Sequence, residues 1–251
     1  MDARDGLRQL PDNSVDMVIT SPPYWKLRDF GESAEDIWDG ETNCKHQWNK
    51  NNFCTKCKAW KGQLGLEPEI SLYIRHLMDI FDEVRRVLKP TGTCWVNIAD
   101  TYGFKGRPKC LAGIPERFLL AMIEHQWIAR NKIVWYKPNF MPSPYKDRFA
   151  NAWEYLFVFS KAQRYYFDLE AIREYHEDPM KGSIKASYAS AGPYWFIGSQ
   201  PSKNNHFATF PEKLIERAIK TAPKQVCKKC DKPRERIIKR IVLGKKRNKI
   251  L

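Results

Sequence analysis

No run of eighteen apolar residues occurs in the 251-residue chain, which excludes a membrane-spanning helix. A secretory signal is also missing, because the start is charged and its first apolar run is short. The sequence shows no internal repeat, so solenoid and propeller architectures drop out. Disulfide scaffolding is disfavoured as well. The seven cysteines are odd in number, and Cys54/Cys57 and Cys227/Cys230 are spaced Cys-x-x-Cys, which favours metal or free thiols in a reducing compartment. Glycine is absent between Gly198 and Gly244. Acidic residues are outnumbered 29 to 43 by Lys and Arg, a net charge of +14, but the excess is local. From Lys220 to Leu251 there are thirteen basic residues and only Asp231 and Glu235 against them, so the rest of the chain carries about +3. Global basicity therefore says little about the main domain, whereas the tail suits phosphate contact.

What is present is an alternation of helix and strand signals. Leu7 and Leu10 are helically spaced, Pro11-Asp12-Asn13 reads as a turn and Val15–Thr20 as a strand. Leu77, Ile80, Phe81, Val84 and Leu88 mark an amphipathic helix over 70–88, stopped by Lys89-Pro90-Thr91-Gly92. A buried strand over 93–98, a helix over 115–124, strands over 128–135 and 155–160, and a helix over 211–221 follow. This order predicts an α/β sheet with one sizeable core. Residues 31–66 are polar, with clustered Cys, Gly and Asn, and read as an insertion of little apolar mass; 174–206 reads as loop.

The most telling local feature is Thr20-Ser21-Pro22-Pro23-Tyr24-Trp25 at the end of the apolar strand. An exocyclic amine on an aromatic base is a poor nucleophile, because its lone pair is delocalised into the ring. Acceptors that hold its N–H groups favour a pyramidal nitrogen and aim the lone pair. Ser21 offers a hydroxyl and a carbonyl, and Pro22 a carbonyl on a backbone of fixed φ. Tyr24 offers a face on which a flipped base can stack, and Trp25 could extend that wall.

Met1-Asp2-Ala3 through Ser14-Val15-Asp16-Met17-Val18-Ile19-Thr20-Ser21-Pro22-Pro23-Tyr24 resembles the amino-group DNA methyltransferases (N4-cytosine and N6-adenine) of β motif order. Arg86–Thr93, Ile133–Asn139, Arg148-Phe149 with Trp153-Glu154-Tyr155, and His206–Pro211 with Leu214-Ile215 match later family segments in the right order. The resemblance implies a Rossmann-like methyltransferase sheet, of which this chain holds the catalytic half. It also implies S-adenosyl-L-methionine (AdoMet) as methyl donor, double-stranded DNA as partner, and a cytoplasmic setting in a prokaryote or phage. It places Ser21, Pro22, Pro23 and Tyr24 in catalysis, and Asp2, Thr20, Phe210 and Pro211 near AdoMet. Ser rather than Asp at the first tetrapeptide position is commoner in N4-cytosine enzymes, so cytosine N4 is the expected target and adenine N6 the alternative. On this reading residues 1–30 and 67–222 form the catalytic region, with DNA-contact loops around 137–148 and 174–205. Lys137, Lys146 and Arg148, with Trp25, are the expected DNA contacts.

Two features complicate that picture. The family's Gly-rich loop, of the type Asp-Pro-Phe-x-Gly-Ser-Gly, lets the backbone approach AdoMet closely, and it is missing; Met1 also stands where a glycine is usual, so the natural start is expected upstream. A fragment, a split enzyme completed by a second chain, or an inactive zinc-stabilised DNA-binding protein would each account for this, and AdoMet binding by this chain alone is in question. Separately, Cys44, His46, Cys54 and Cys57 put four soft ligands within fourteen residues, the spacing of a small zinc-ribbon-like site whose metal would help fold a polar insert over 31–66. Cys227 and Cys230, in the basic tail 223–251, form half of another ribbon, and a composite of Cys54/Cys57 with Cys227/Cys230 is the alternative pairing. Cys94 and Cys110 are expected to be core or loop thiols.

Overall fold

The computed structural model describes residues 2–176, 187–189, 192–200, 210–230 and 232–233. Helix α1 (Ala3–Arg8) is capped by Asp2, whose carboxylate accepts from the Arg4 N–H at 2.9 Å. Strand β1 (Val15–Thr20) follows. A hairpin, β2 (Glu35–Trp38) and β3 (Trp60–Gln63), leads to the long helix α2 (Ile70–Val87). Its buried face includes Tyr73, Leu77, Phe81 and Val84, close to the spacing read from the sequence. The helix passes directly into β4 (Leu88–Ile98), since a residue before proline resists the helical region, and Lys89-Pro90 thus enforces the change. Gly92 is needed there: a Cβ would lie 2.8 Å from the Asp16 carbonyl oxygen and from Leu88 side-chain atoms, so only glycine lets β1 and β4 close up.

A short hairpin, β5 (Tyr102–Phe104) and β6 (Arg107–Leu111), precedes α3 (Ile114–Glu124). The Asp100 carboxylate accepts from the backbone N–H groups of Gly113 and Ile114 at the start of that helix. Strands β7 (Ile128–Tyr136) and β8 (Trp153–Ser160) pair antiparallel. The small pair β9 (Glu174–His176) and β10 (Ser187–Ala189) follows, then β11 (Tyr194–Phe196) and α4 (Glu212–Thr221). The main sheet is mixed, in the order β1-β4-β8-β7-β11. β1 is parallel to β4 and β11 to β7, while β8 runs against both its neighbours. Among the described residues β1 pairs only with β4, so it forms one margin of the sheet, with every residue half-buried.

Side chains alternate across the strands. Cys94, Val96, Ile98, Phe157 and Phe159 pack on α2 and α3, with Leu77, Phe81, Phe118 and Met122. Trp95, Leu156, Val158, Ile133 and Trp135 face the other way, against Trp195, Leu214 and Ala218. The sheet is thus sandwiched between α2/α3 and α4, the mixed α/β layering expected from the alternation.

Two regions differ from the sequence reading. Within 174–206, expected as loop, Tyr194–Phe196 joins the sheet beside β7 and buries Trp195. Three residues are too few to show a period, and pairing with an existing edge makes the strand. The 31–66 segment has more apolar anchorage than its composition suggests: Trp38 and Trp60 are buried against Leu72 of α2. The family-like stretch 206–209 and most of the basic tail lie outside the described residues.

Candidate active site

The parallel pairing of Thr20 with Val96 brings the Ser21–Tyr24 turn beside the end of β4, where Asn97 sits on the Trp95 face. The antiparallel pairing of Asn97 with Leu156 brings the start of β8 to the same place. The result is one hydrogen-bonded cluster. The Tyr24 hydroxyl lies 2.7 Å from Glu154 Oε2 and 2.9 Å from Asn97 Oδ1, and accepts from Ser21 Oγ at 3.3 Å. Asn97 Nδ2 donates to Glu154 Oε2 and to the Tyr155 carbonyl, both at 3.0 Å. Lys137 Nζ pairs with Glu154 Oε1. Burial, then the charge of Glu154, pushes the Tyr24 phenol well above its ordinary pKa, so it remains a neutral donor.

Two cavities meet at this cluster. The larger, about 520 Å³, is walled by Ser21, Pro22, Pro23 and Tyr24 on one side and by Trp135, Phe210 and Pro211 on the other, with Asn97, Lys137 and Glu154 between. The smaller, about 270 Å³, shares Tyr24, Lys137 and Glu154 and adds Asp100, Tyr102, Trp153 and Tyr155. Trp135 belongs to the core on the α4 side, whereas Tyr155 packs with the core under α3. Tyr24, Glu154 and Lys137 therefore stand where the two chambers adjoin.

The structure gathers some expected residues and disperses others. Ser21–Tyr24, Lys137, Phe210 and Pro211 share the larger cavity. Thr20 ends β1 without lining it. Asp2 does not line the cavity; its Oδ1 caps α1 and pairs with Arg4. Trp25 is not a wall of the site: it is 1% exposed and its indole N–H donates to the Glu67 carbonyl at 3.0 Å, so it is drawn into the core. Lys146 is exposed. Arg148 stacks on the rings of Tyr102 and Tyr145 at 3.7 and 4.3 Å, on the same loop as the almost fully exposed Phe149. Asn97 and Glu154 were not singled out from sequence. Their signal is a polar residue amid apolar strand neighbours: Asn97 is 2% exposed between Val96 and Ile98, and such a group stays buried only with partners.

A family model described as DNA methylase matches residues 15–226. Type II methyltransferase M.Cfr9I from Citrobacter freundii is 34% identical over 248 residues, covering 89% of this chain and 71% of that protein. M.SmaI from Serratia marcescens is 33% identical over 243 residues, covering 87% and 72%. The chain belongs to the N4/N6 amino-group DNA methyltransferase family. Its fold agrees. The solved PvuII DNA methyltransferase (cytosine-N4-specific) superposes with a TM-score of 0.59 at 21% identity, over 88% of this methyltransferase and 68% of that one. AdoMet is the methyl donor of the family, and a Thermus thermophilus protein solved with AdoMet matches in fold with a TM-score of 0.55 at 20% identity, over 90% and 74% of the two chains.

The methyltransferase also carries the Cys/His cluster on its β2–β3 insert. The ligand atoms of Cys44, His46, Cys54 and Cys57 all lie within 4.8 Å of one another. Cys44 Sγ is 3.9 Å from Cys54 Sγ, and Cys57 Sγ is 3.3 Å from His46 Nδ1. A tetrahedral zinc with Zn–S of ~2.3 Å has S···S edges of about 3.8 Å, so the set fits such an ion. Burial raises both thiols of the Cys44–Cys54 pair; backbone N–H groups of Cys57 and Gln47 bring Cys54 down to about 5, whereas the neighbouring thiols leave Cys44 raised to about 11, so Cys54 is the thiolate of the pair. Cys227 and Cys230 are exposed and stand outside this group, so the composite pairing does not form.

Tyr73 and Tyr24 make the methyltransferase sensitive to alkali. Burial, then Glu67, raises the Tyr73 phenol well above its usual value, as burial and Glu154 raise Tyr24. The folded state thus keeps protons that the unfolded chain releases near pH ~10. This stability is complete below that pH and is lost as pH rises beyond it. Each phenol steepens the loss by up to ~1.4 kcal/mol per pH unit. Urea melts from pH 8 to 11 should show a shallower decline for Tyr73→Phe than for the wild type. Parallel declines would remove Tyr73 from the account.

Proposed function

We propose that the protein methylates the exocyclic N4 of cytosine in double-stranded DNA, within a restriction–modification setting in the prokaryotic cytoplasm. The observation that carries this is the Ser21-Pro22-Pro23-Tyr24 turn, which opens on two chambers and is held by Asn97 and Glu154. On this reading the 520 Å³ chamber takes the methyl donor beside Phe210 and Pro211 and the amine edge of the flipped base beside Ser21 and Pro22, while the base ring lies along Tyr24 toward the smaller chamber of Trp153 and Tyr155. The larger volume is within the usual range for a cofactor site, ~300–1,000 Å³, and its aromatic and proline walls suit an adenosyl group. No glycine lines it among the described residues. Those relatives extend beyond the matched region, and nothing in the comparisons calls for a second chain. AdoMet, when bound, supplies an electrophilic methyl group.

The protein's own work is positioning. Ser21 Oγ and the Ser21 and Pro22 carbonyls are the acceptors available for hydrogen bonds from the two amine N–H groups, which favours a nitrogen lone pair turned out of the ring plane. Pro22 and Pro23 keep these acceptors from swinging. Tyr24 stacks against the base, with its hydroxyl pinned by Glu154. Ser21 favours cytosine over adenine on the family tendency noted above, and a neutral acceptor suffices for an amine already held by two carbonyls. Lys146 and Arg148 supply phosphate contacts around the rim, while Lys137, expected there too, meets the DNA from inside the site beside Glu154. Cys44, His46, Cys54 and Cys57 bind one zinc ion that stiffens the insert.

Mass spectrometry of nucleosides from DNA of expressing cells tests the assignment. N4-methylcytosine is expected, and Ser21→Ala should deplete it. N6-methyladenine alone would overturn the base assignment, and no methylated base would favour the inactive DNA-binding alternative. Metal analysis should give one zinc per chain, lost in Cys54→Ser; unchanged zinc in that variant would refute the ligand set.

A further inference from the structure

Behind the catalytic turn lies a second polar cluster that touches neither chamber. Glu67 and His76 are both fully buried, and His76 Nδ1 is 2.9 Å from Glu67 Oε1. On its other side His76 Nε2 is 3.1 Å from Asp39 Oδ2. The imidazole is stacked on Trp38, with centroids 4.5 Å apart, and on Trp60, at 5.7 Å. These two rings anchor the insert that carries the Cys/His cluster. The second oxygen of Glu67 accepts the Gly65 N–H at 2.8 Å.

Gly65 in turn abuts the catalytic turn. Its carbonyl accepts the Lys26 N–H at 2.6 Å. A Cβ on Gly65 would sit 3.2 Å from Pro23 Cβ and from the Tyr24 carbonyl oxygen, and φ is +95°. The Glu67 carbonyl takes the Trp25 indole N–H, and the Tyr73 hydroxyl donates to the Pro23 carbonyl at 2.7 Å. A path of ring stacking and hydrogen bonds therefore runs from the insert through Trp60, His76 and Glu67 to Trp25 and Lys26, the residues that follow Tyr24. A buried carboxylate is costly unless paired, and this one spends both oxygens on fixing a loop to the back of the turn.

We infer that Glu67 and His76 are positioning residues, which set the Pro-Pro-Tyr turn for methyl transfer and make the Cys/His insert its buttress. The inference rests on the proposed function for its kinetic consequence, but its structural content is testable without turnover. Glu67→Ala should raise hydrogen exchange in the segment from Lys26 to Phe30 by about tenfold, while α3 and β8 keep their protection. With DNA as variable substrate, kcat should fall by about 10²-fold, the scale of a small misplacement, while KM stays within about twofold. Glu67→Gln retains an acceptor for Gly65 and an N–H group for His76, and should restore most of both. If Glu67→Ala does not fold, Glu67→Asp serves: it keeps the charge but draws the carboxylate ~1.5 Å short of Gly65, and should raise the same local exchange. Unchanged exchange near Lys26, exchange rising equally throughout α3 and β8, or a Glu67→Gln variant no better than Glu67→Ala would each overturn the assignment. Absence of methylation in every variant would count against the proposed function, and the exchange pattern would still decide this one.

Discussion

Replacing Glu154 with alanine lowers the methylation rate by about 10²–10³-fold, the usual effect of removing one preorganised group from a reaction centre. Glu154 joins Tyr24, Asn97 and Lys137 through three contacts on two oxygens. Its loss leaves the Lys137 ammonium, 21% exposed, without its partner and frees the Tyr24 ring to turn. The partial exposure of that pair keeps the cost to folding well under that of a fully buried ion pair. Glu154→Gln keeps an acceptor for Tyr24 while losing the charge, and should fall between the wild type and alanine. Single-turnover methylation of a duplex carrying the mapped recognition sequence provides the measurement. A Glu154→Ala rate within threefold of wild type would show that Tyr24 needs no such clamp.

The largest stability loss is expected for Phe118→Ala, about 3–5 kcal/mol. Phe118 is fully buried where α3 meets both α2 and the sheet. Its ring meets Phe81 edge-on at 5.1 Å and Phe159 at 6.0 Å, and leans on Phe157 at 6.2 Å. None of these neighbours can close the void without leaving its own contacts. Two residues along the same helix, Leu120 is 60% exposed, and Leu120→Ala should cost less than about 0.5 kcal/mol. Urea titration of both variants makes the comparison; similar midpoints for the two would mean that this interface repacks.

The amphipathic face of α2 and the strand before Ser21 were legible because both rest on local periodicity and need no partner to be recognised. Most of what completes the site was not. Asn97 and Glu154 meet Tyr24 across 73 and 130 residues of chain, and only strand order and register bring them there. Trp25 follows the tetrapeptide so closely that it reads as part of the wall, yet the Glu67 carbonyl pulls its indole inward. Asp2, an acid matched to the methyl-donor site by resemblance, uses its Oδ1 at the start of α1, a local role its sequence position also allows. The insert was legible in its four metal-type ligands but not in its attachment, since two isolated tryptophans carry no period.

The position of β1 has a consequence for handling the protein. Among the described residues, the far side of the strand that delivers the reactive turn meets no other strand. Over its six residues it has one charge, Asp16, which Lys89 already neutralises. The strand carries no lysine or proline, the residues that keep exposed strand edges of separate molecules apart. The strand that presents Ser21 thus offers a row of backbone donors and acceptors to which a further strand, of the same sheet or of another copy, would bond directly behind the reactive turn.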